Sequence, residues 1–232
     1  MAEPLVLLNY AFVAIVFSLL LGAGVSQRAR VGLCWVAIPG LMACVGTKLL
    51  RTYDTVDELT FYASYHSHPM NQLVHIVCVP LLLFTVFVFA AYVPPPIKGL
   101  TWPLLGAGAW SLHHVRAAPL VGSAVSCLTF AMALVASAVV ERERRAKTRA
   151  GNAARYAGVI HIFCWYMQLH PGHGVFEGRK PALLDSVLQA FLDAPLFVWY
   201  EVAFACGYDP ALKQQLDAAV EARHVAWSRG DL

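Results

Sequence analysis

Charge is what this sequence has least of. Only 13% of its 232 residues are Asp, Glu, Lys or Arg, while 59% are hydrophobic and the mean hydropathy is +0.59. A soluble domain carries about 25% charged residues, because a surface in water has to be covered with something polar. The shortfall therefore excludes an ordinary water-soluble globule. Other absences narrow the field further. The net charge is only +3 and the basic residues lie in short runs with no aromatic interleaving, so a nucleic-acid partner is excluded. None of the six cysteines stands in a C-x-x-C pair, and most lie inside apolar stretches, where they read as helix-packing thiols rather than disulfides or a zinc knuckle. The N-terminus has no basic region ahead of its apolar run and carries Glu3, so that run reads as a retained span, not a cleaved signal. No internal repeat and no long linker is present.

What the chain does have is apolar blocks separated by short polar segments, and a bilayer crossing needs about 20 mainly apolar residues. In lipid the backbone must satisfy its own polar groups, so the expected element is the helix. The blocks predict spans at 5–25, 31–50, 73–93, 97–112, 119–140 and 153–169, with a last apolar helix over 182–206. The proline run Pro94-Pro95-Pro96 ends the third, and Pro119 opens the fifth. The expected fold is an all-α, polytopic transmembrane helix bundle with a His-rich metal site at one end. Residues 1–52 form a two-span N-terminal extension, because no site-like residues fall there, and residues 53–232 form the membrane-embedded domain. Basic residues divide almost evenly between the two faces, so the orientation stays open.

Nine histidines are present, and six of them fall into two clusters. The first is FYASYHSHPMNQLVH, with His66, His68 and His75; the second is HIFCWYMQLHPGHGVFE, with His161, His170 and His173. Pro69 suits the first turn of a helix, where its missing N–H would be unpaired anyway. That helix carries Asn71 and His75 four apart, on one face. In the second cluster Pro171, Gly172 and Gly174 are expected to bend the chain tightly around His173, and Glu177 shares a face with His173 if a helix resumes. A single intramembrane histidine commonly bonds a neighbouring helix. Six in two clusters, with Tyr65, Asn71 and Glu177 close by, point instead to a metal, since polar groups at membrane depth are costly and mark functional sites. Several neutral imidazoles with at most one carboxylate suit Fe(II). His113-His114 reads as an interfacial anchor, and His224, in a polar tail, as uninvolved. For both clusters to share one metal, an even number of crossings must separate His75 from His173. The predicted spans supply four, provided 97–112 crosses. Arg179 and Lys180 could receive a substrate carboxylate, or be basic residues snorkelling at a helix end.

These segments resemble the 2-hydroxy fatty acid dioxygenase family of the endoplasmic reticulum membrane. The matching residues are Phe61-Tyr62, Tyr65-His66, Pro69, Asn71, His75 and Pro80, then Gly172-His173-Gly174-Val175-Phe176-Glu177, Arg179, Pro181-Ala182-Leu183, Asp185, Ala194-Pro195 and Glu201, so the resemblance covers roughly 57–216. It implies an Fe(II)-dependent enzyme of fatty acid α-oxidation, which shortens a 2-hydroxy fatty acid by one carbon with dioxygen, as in phytosphingosine and sphingolipid breakdown. The ligands it implies are His66, His75 and His173, with His170 a less regular fourth; Tyr65, Asn71 and Glu177 would serve the catalytic centre, and Arg179 and Lys180 the substrate. The rival readings are a di-iron lipid hydroxylase or desaturase, whose H-x-x-H-H boxes are missing here, a haem protein, and a non-enzymatic transporter or scaffold with structural histidines.

Overall fold

The computed structural model describes residues 54–95, 97, 99–146, 151–182 and 187–231, so the two expected leading spans lie outside the described residues. Among the described residues the chain is helical, with no strand and one isolated bridge between Ile97 and Leu100. The elements are α1 (Thr55–Ser64), α2 (Pro69–Ala91), α3 (Trp102–Ala117), α4 (Pro119–Arg145), α5 (Asn152–Met167), a π-helical segment continuing it (Gln168–Glu177), α6 (Val187–Ala205) and α7 (Pro210–Arg229).

Two helices, α2 and α4, are long and apolar enough to cross a bilayer. Their 23 and 27 residues measure about 34 and 40 Å at 1.5 Å per residue, against a hydrocarbon core of about 30 Å. Apolar side chains cover the outside of the bundle: Leu73 and Val77 on α2, Leu134 and Val135 on α4, and Val159, Ile162 and Phe163 on α5 are all more than half exposed. Such a belt is costly in water and costs nothing against lipid. The predicted fourth span is α3, whose 16 residues reach only about 24 Å.

Local chemistry explains where each helix begins. Asp54 caps α1 by accepting from the Val56 and Asp57 amides at 2.9 and 3.1 Å. His68 caps α2 through Nδ1, which accepts from the Met70 amide at 3.2 Å, and Pro69 occupies the first turn. At the opposite end of the bundle Glu143 of α4 gathers three elements. Its carboxylate accepts from the Tyr92 hydroxyl at 3.0 Å, from the Gly151 amide at 2.5 Å and from the Ala153 amide at 2.8 Å. The Arg144 guanidinium adds a bond to the Ala91 carbonyl at 3.0 Å. The C-termini of α2 and α4 and the N-terminus of α5 therefore share one end. The start of α2, the turn between α3 and α4, and the end of α5 share the other.

That turn is tight. Ala118 ends α3 and opens α4, and Gly122 passes so close to the preceding helix that a Cβ there would lie 2.0 Å from the His114 carbonyl oxygen. Behind it the core is built from Leu59 and Tyr62 of α1, Val79 of α2, Val121 and Val125 of α4, Leu196, Phe197 and Tyr200 of α6, and Leu216 of α7.

Three histidines outside the site are held by defined partners. The Trp165 indole, which can only donate, gives its N–H to His161 Nε2 at 3.0 Å. His161 Nδ1 must then carry the ring proton and donate to Thr85 Oγ1 at 2.6 Å, and the Thr85 hydroxyl donates to the Leu82 carbonyl at 2.8 Å. His161 thus joins α5 to α2. His113 and His114 correct the expectation of an interfacial anchor: both are buried, His113 Nε2 pairing with the Asp193 carboxylate and His114 Nε2 donating to the Leu192 carbonyl at 2.8 Å. They fasten α6 to α3.

Replacing Gly122 with alanine should destabilise the protein by about 3 kcal/mol, because the added methyl meets backbone that cannot move without parting α3 from α4. Gly108→Ala, on α3 with nothing within 4 Å of the added atom, should be neutral or slightly stabilising. Thermal unfolding of the two variants in detergent checks the contrast.

Candidate metal centre

The end of the bundle that holds the start of α2 and the end of α5 brings three imidazoles together. His66 follows α1, His75 lies in the second turn of α2, and His173 lies in the π-helical segment. All three are buried, at 3%, 6% and 3% exposure. One ring nitrogen of each lies within 4.8 Å of the others, and the ring centroids are 4.3 Å (His66–His75), 4.8 Å (His66–His173) and 5.1 Å (His75–His173) apart. This is the only His, Cys, Asp or Glu group of metal-binding geometry among the described residues.

The same local device aims the first two rings. His66 Nδ1 donates to the Tyr62 carbonyl at 2.8 Å, and His75 Nδ1 donates to the Asn71 carbonyl at 3.0 Å, each to the residue four earlier. With the proton fixed on Nδ1, the lone pair is on Nε2. The Tyr62 ring stacks on His66, with centroids 3.9 Å apart and planes 14° from parallel. Burial pushes the proton affinity of His66 well below the usual histidine value, helped by the neighbouring His75 and His173. Burial lowers that of His173 too, against an opposing pull from the Glu177 carboxylate. Neutral imidazole, the form that binds metal, is thus the resting state.

His173 arrives by an unusual route. The expected tight bend around it is not there: Gly172 and Gly174 keep ordinary backbone angles, and α5 runs on as a π-helix until Gly178, whose φ of 63° ends it. Pro171 is the physical reason. It has no N–H to give and its ring crowds the preceding turn, and the wider i→i+5 winding absorbs both. Gly172 is required for a further reason, since a Cβ there would lie 2.6 Å from Asn71 Oδ1.

Glu177 and Asn71 hold the two segments together. The Glu177 carboxylate accepts from the Ser67 amide, the His68 amide and Asn71 Nδ2, each at 3.0 Å. Asn71 Nδ2 also donates to the Tyr65 carbonyl at 3.2 Å. Both carboxylate oxygens are engaged, one of them twice, so Glu177 acts here as a strap across the front of α2 rather than as a ligand. Gln72 makes a second tie on the other side, donating to the His66 carbonyl at 2.8 Å and to Glu201 at 3.3 Å.

The remaining expected residues fall around this core. His170 is exposed and stacked on Tyr166, outside the triad. His68 is the α2 cap and stacks on Phe176. The Tyr65 ring packs against Phe61 and Trp227, whereas Tyr62, to which sequence reasoning gave no role in the site, lies on a triad ring. Its spacing of four from His66 was the available signal. Arg179 and Lys180 are exposed at the end of the π-helical segment, with Arg179 donating to the Ser64 carbonyl at 3.4 Å. His224 also belongs to this end, since its Nε2 donates to that same carbonyl at 2.9 Å.

The donor set fits a transition metal. Three neutral nitrogens on one side leave the opposite positions open, the arrangement that Fe(II) and Zn(II) both accept. His173 Nδ1 and Asn71 Oδ1 are buried with no hydrogen-bond partner, a cost that a cation or a bound water would relieve. Loss of the strap in Glu177→Ala should weaken metal binding about 10- to 100-fold while leaving the helix content unchanged. His170→Ala should bind as the parent does. Metal titration of the detergent-purified protein compares them.

Comparison with known proteins gives the family. Residues 52–206 match the Mpo1-like family, described as 2-hydroxy-palmitic acid dioxygenase Mpo1-like. The 2-hydroxy-palmitic acid dioxygenase MPO1 of Saccharomyces cerevisiae is 28% identical over 180 residues, which span 72% of this chain and 90% of the yeast protein. No solved structure matches the chain. The matched region takes in the segments that carry His66, His75 and His173, and the chain belongs to the Mpo1-like family.

Proposed function

We propose that the protein is an Fe(II)-dependent dioxygenase that converts a 2-hydroxy fatty acid into the fatty acid one carbon shorter, in the membrane of the endoplasmic reticulum. The observation that carries the reading is the convergence of three buried, neutral imidazoles at the end of an apolar bundle, in a chain whose relative is a 2-hydroxy-palmitic acid dioxygenase.

The net reaction balances without an external reductant. The 2-hydroxy acid and one dioxygen give the shortened acid, carbon dioxide and water; the C1–C2 bond breaks and C2 becomes the new carboxyl carbon. Iron, held by His66, His75 and His173, would supply the dioxygen chemistry and the polarisation of the 2-hydroxyl. The protein's own residues do the rest. His66 and His75 keep their protons on Nδ1 by donating to backbone, and so keep Nε2 turned inward. Asn71 and Glu177 hold the His173 segment against α2, and Asn71 Oδ1 is left unpaired for the polar end of the substrate. Tyr62 closes one side of the centre and excludes water there. Arg179 and Lys180 put positive charge where a carboxylate approaches.

The acyl chain belongs among the helices. A shallow apolar cleft, open to the outside, lies between α2, α4 and α6, lined by Pro80, Leu83, Met132, Pro195 and Trp199 among others. Pro80 is five residues beyond His75 on α2, which supports a chain that runs from the imidazoles into the bundle.

The direct test is metal analysis of the detergent-purified protein beside turnover of 2-hydroxypalmitate. Near-stoichiometric iron and a C15 acid are expected from the wild type. His66→Ala and His173→Ala should each lose both, with turnover falling at least about a hundredfold. Turnover by metal-free protein would rule the mechanism out.

A further inference from the structure

Beside the triad, on the other side of α1, the structure gathers positive charge that no carboxylate among the described residues pairs with. Residues at 62 and 66 of this segment face the triad, through the Tyr62–His66 stack, while Phe61 and Tyr65 face α7. Against that second face lie two guanidiniums. Arg223 of α7 sits between two rings, with Cζ 5.5 Å from the Phe61 centroid and 5.3 Å from that of Trp227. Arg179, leaving the π-helical segment, places its Cζ 5.3 Å from the same Trp227 ring. His224 stacks on Trp227 as well, its Nε2 donating to the Ser64 carbonyl.

Two like charges on one indole repel each other, and cation–π attraction of about 0.5–2 kcal/mol each is a modest return for holding them there. No carboxylate pairs with either arginine among the described residues; the nearby Glu177 is committed to Ser67, His68 and Asn71. Arg223 Nε is buried without any hydrogen-bond partner. A desolvated guanidinium N–H of this kind asks for an oxygen anion, and a pair of guanidiniums offers one a forked, charge-assisted grip. The surroundings indicate what the anion is attached to. At this end of the bundle Met70, Leu73 and Val175 are 44%, 51% and 62% exposed, and Val225 on α7 itself is 42% exposed. Cations and a tryptophan beside exposed aliphatic side chains are the signature of a membrane–water boundary.

We propose that Arg179, Arg223 and Trp227 form an interfacial site for the oxyanion head of a membrane amphiphile, a carboxylate or a phosphate, on the face of α1 turned away from the triad. The site makes α7, which lies beyond the family-matching residues 52–206, a lipid-reading element of this chain. It shares Arg179 with the proposed reaction but needs neither metal nor a 2-hydroxyl.

The test titrates the full chain in a non-ionic detergent with laurate, with dioctanoyl phosphatidic acid and with inorganic phosphate, following tryptophan fluorescence and thermophoresis. Saturable binding of laurate, of the phosphatidic acid or of both is expected, and whichever binds tighter names the source of the anion. Arg223→Gln and Arg179→Gln should each weaken it about tenfold or more, and Arg223→Lys, which keeps charge but loses the fork, should fall between. Metal content and helical circular dichroism identical to wild type in Arg223→Gln would show that the variant is folded and the triad intact. Binding unchanged in both glutamine variants, no saturable binding at all, or inorganic phosphate binding as tightly as the amphiphiles would overturn the proposal. Because laurate lacks the 2-hydroxyl, these results stand whether or not 2-hydroxypalmitate is turned over.

Discussion

Everything at the working end of this protein depends on two imidazoles donating their Nδ1 protons to their own backbone. The bonds from His66 to Tyr62 and from His75 to Asn71 are short-range, each spanning four residues. They cost little to form because the helix has already placed the carbonyl. Their consequence is long-range. With the tautomer set, two Nε2 lone pairs meet among buried side chains, and a third imidazole can be brought in from a helix that begins at the opposite end of the bundle. Without a cation the arrangement brings partial negative charges together in a medium of low dielectric, which stores unfavourable energy. With one, the same low dielectric strengthens the attraction.

Bringing in that third imidazole is the harder task, and it is where the backbone departs from regularity. A straight α-helix carrying Pro171 would clash with its own preceding turn. The π-helical winding over Gln168–Glu177 avoids the clash and ends with Glu177 against the front of α2. A carboxylate in that position meets free amide groups and the positive end of the helix dipole, so one side chain binds the two ligand-bearing segments where α2 begins. Gly172 is the other half of the fit: Asn71 comes so close that no side chain can stand between them. The strap and the glycine shape the triad although neither belongs to it.

Much of this was legible beforehand. Long apolar blocks pointed to α2 and α4 because a 20-residue apolar run has few other uses, and the Pro69 and Pro119 starts followed from proline's missing donor. Grouping the histidines by cluster found the two segments, and the family resemblance picked out His66, His75 and His173 within them. Helical periodicity by itself could not separate these three from their neighbours inside each cluster. His170 and His173 are three apart, and an α-helix would put them on one face; only the π-helical winding turns one inward and leaves the other on Tyr166. His113-His114 misled for a related reason. The doublet reads as a polar turn until Asp193, eighty residues away, is seen to be its partner. Long-range pairing of this kind leaves no local periodicity.

The nine histidines also show what distinguishes a ligand physically. Among those described in detail, His161 uses both ring nitrogens, one accepting from Trp165 and one donating to Thr85. His68 spends its Nδ1 on a helix cap, His113 is paired with a carboxylate, and His224 donates to a carbonyl. Each of these bonds joins elements or ends a helix, and it accounts for the residue without a metal. His66 and His75 differ in that their single protein bond is local and joins nothing; its effect is to leave the other nitrogen unbonded beside two more imidazoles. His173 Nδ1 is buried with no partner, a cost that packing alone would remove by substituting leucine or phenylalanine. That three buried imidazoles and this unpaired nitrogen are kept at one point, at the edge of an otherwise apolar bundle, is the physical argument that something positively charged belongs there.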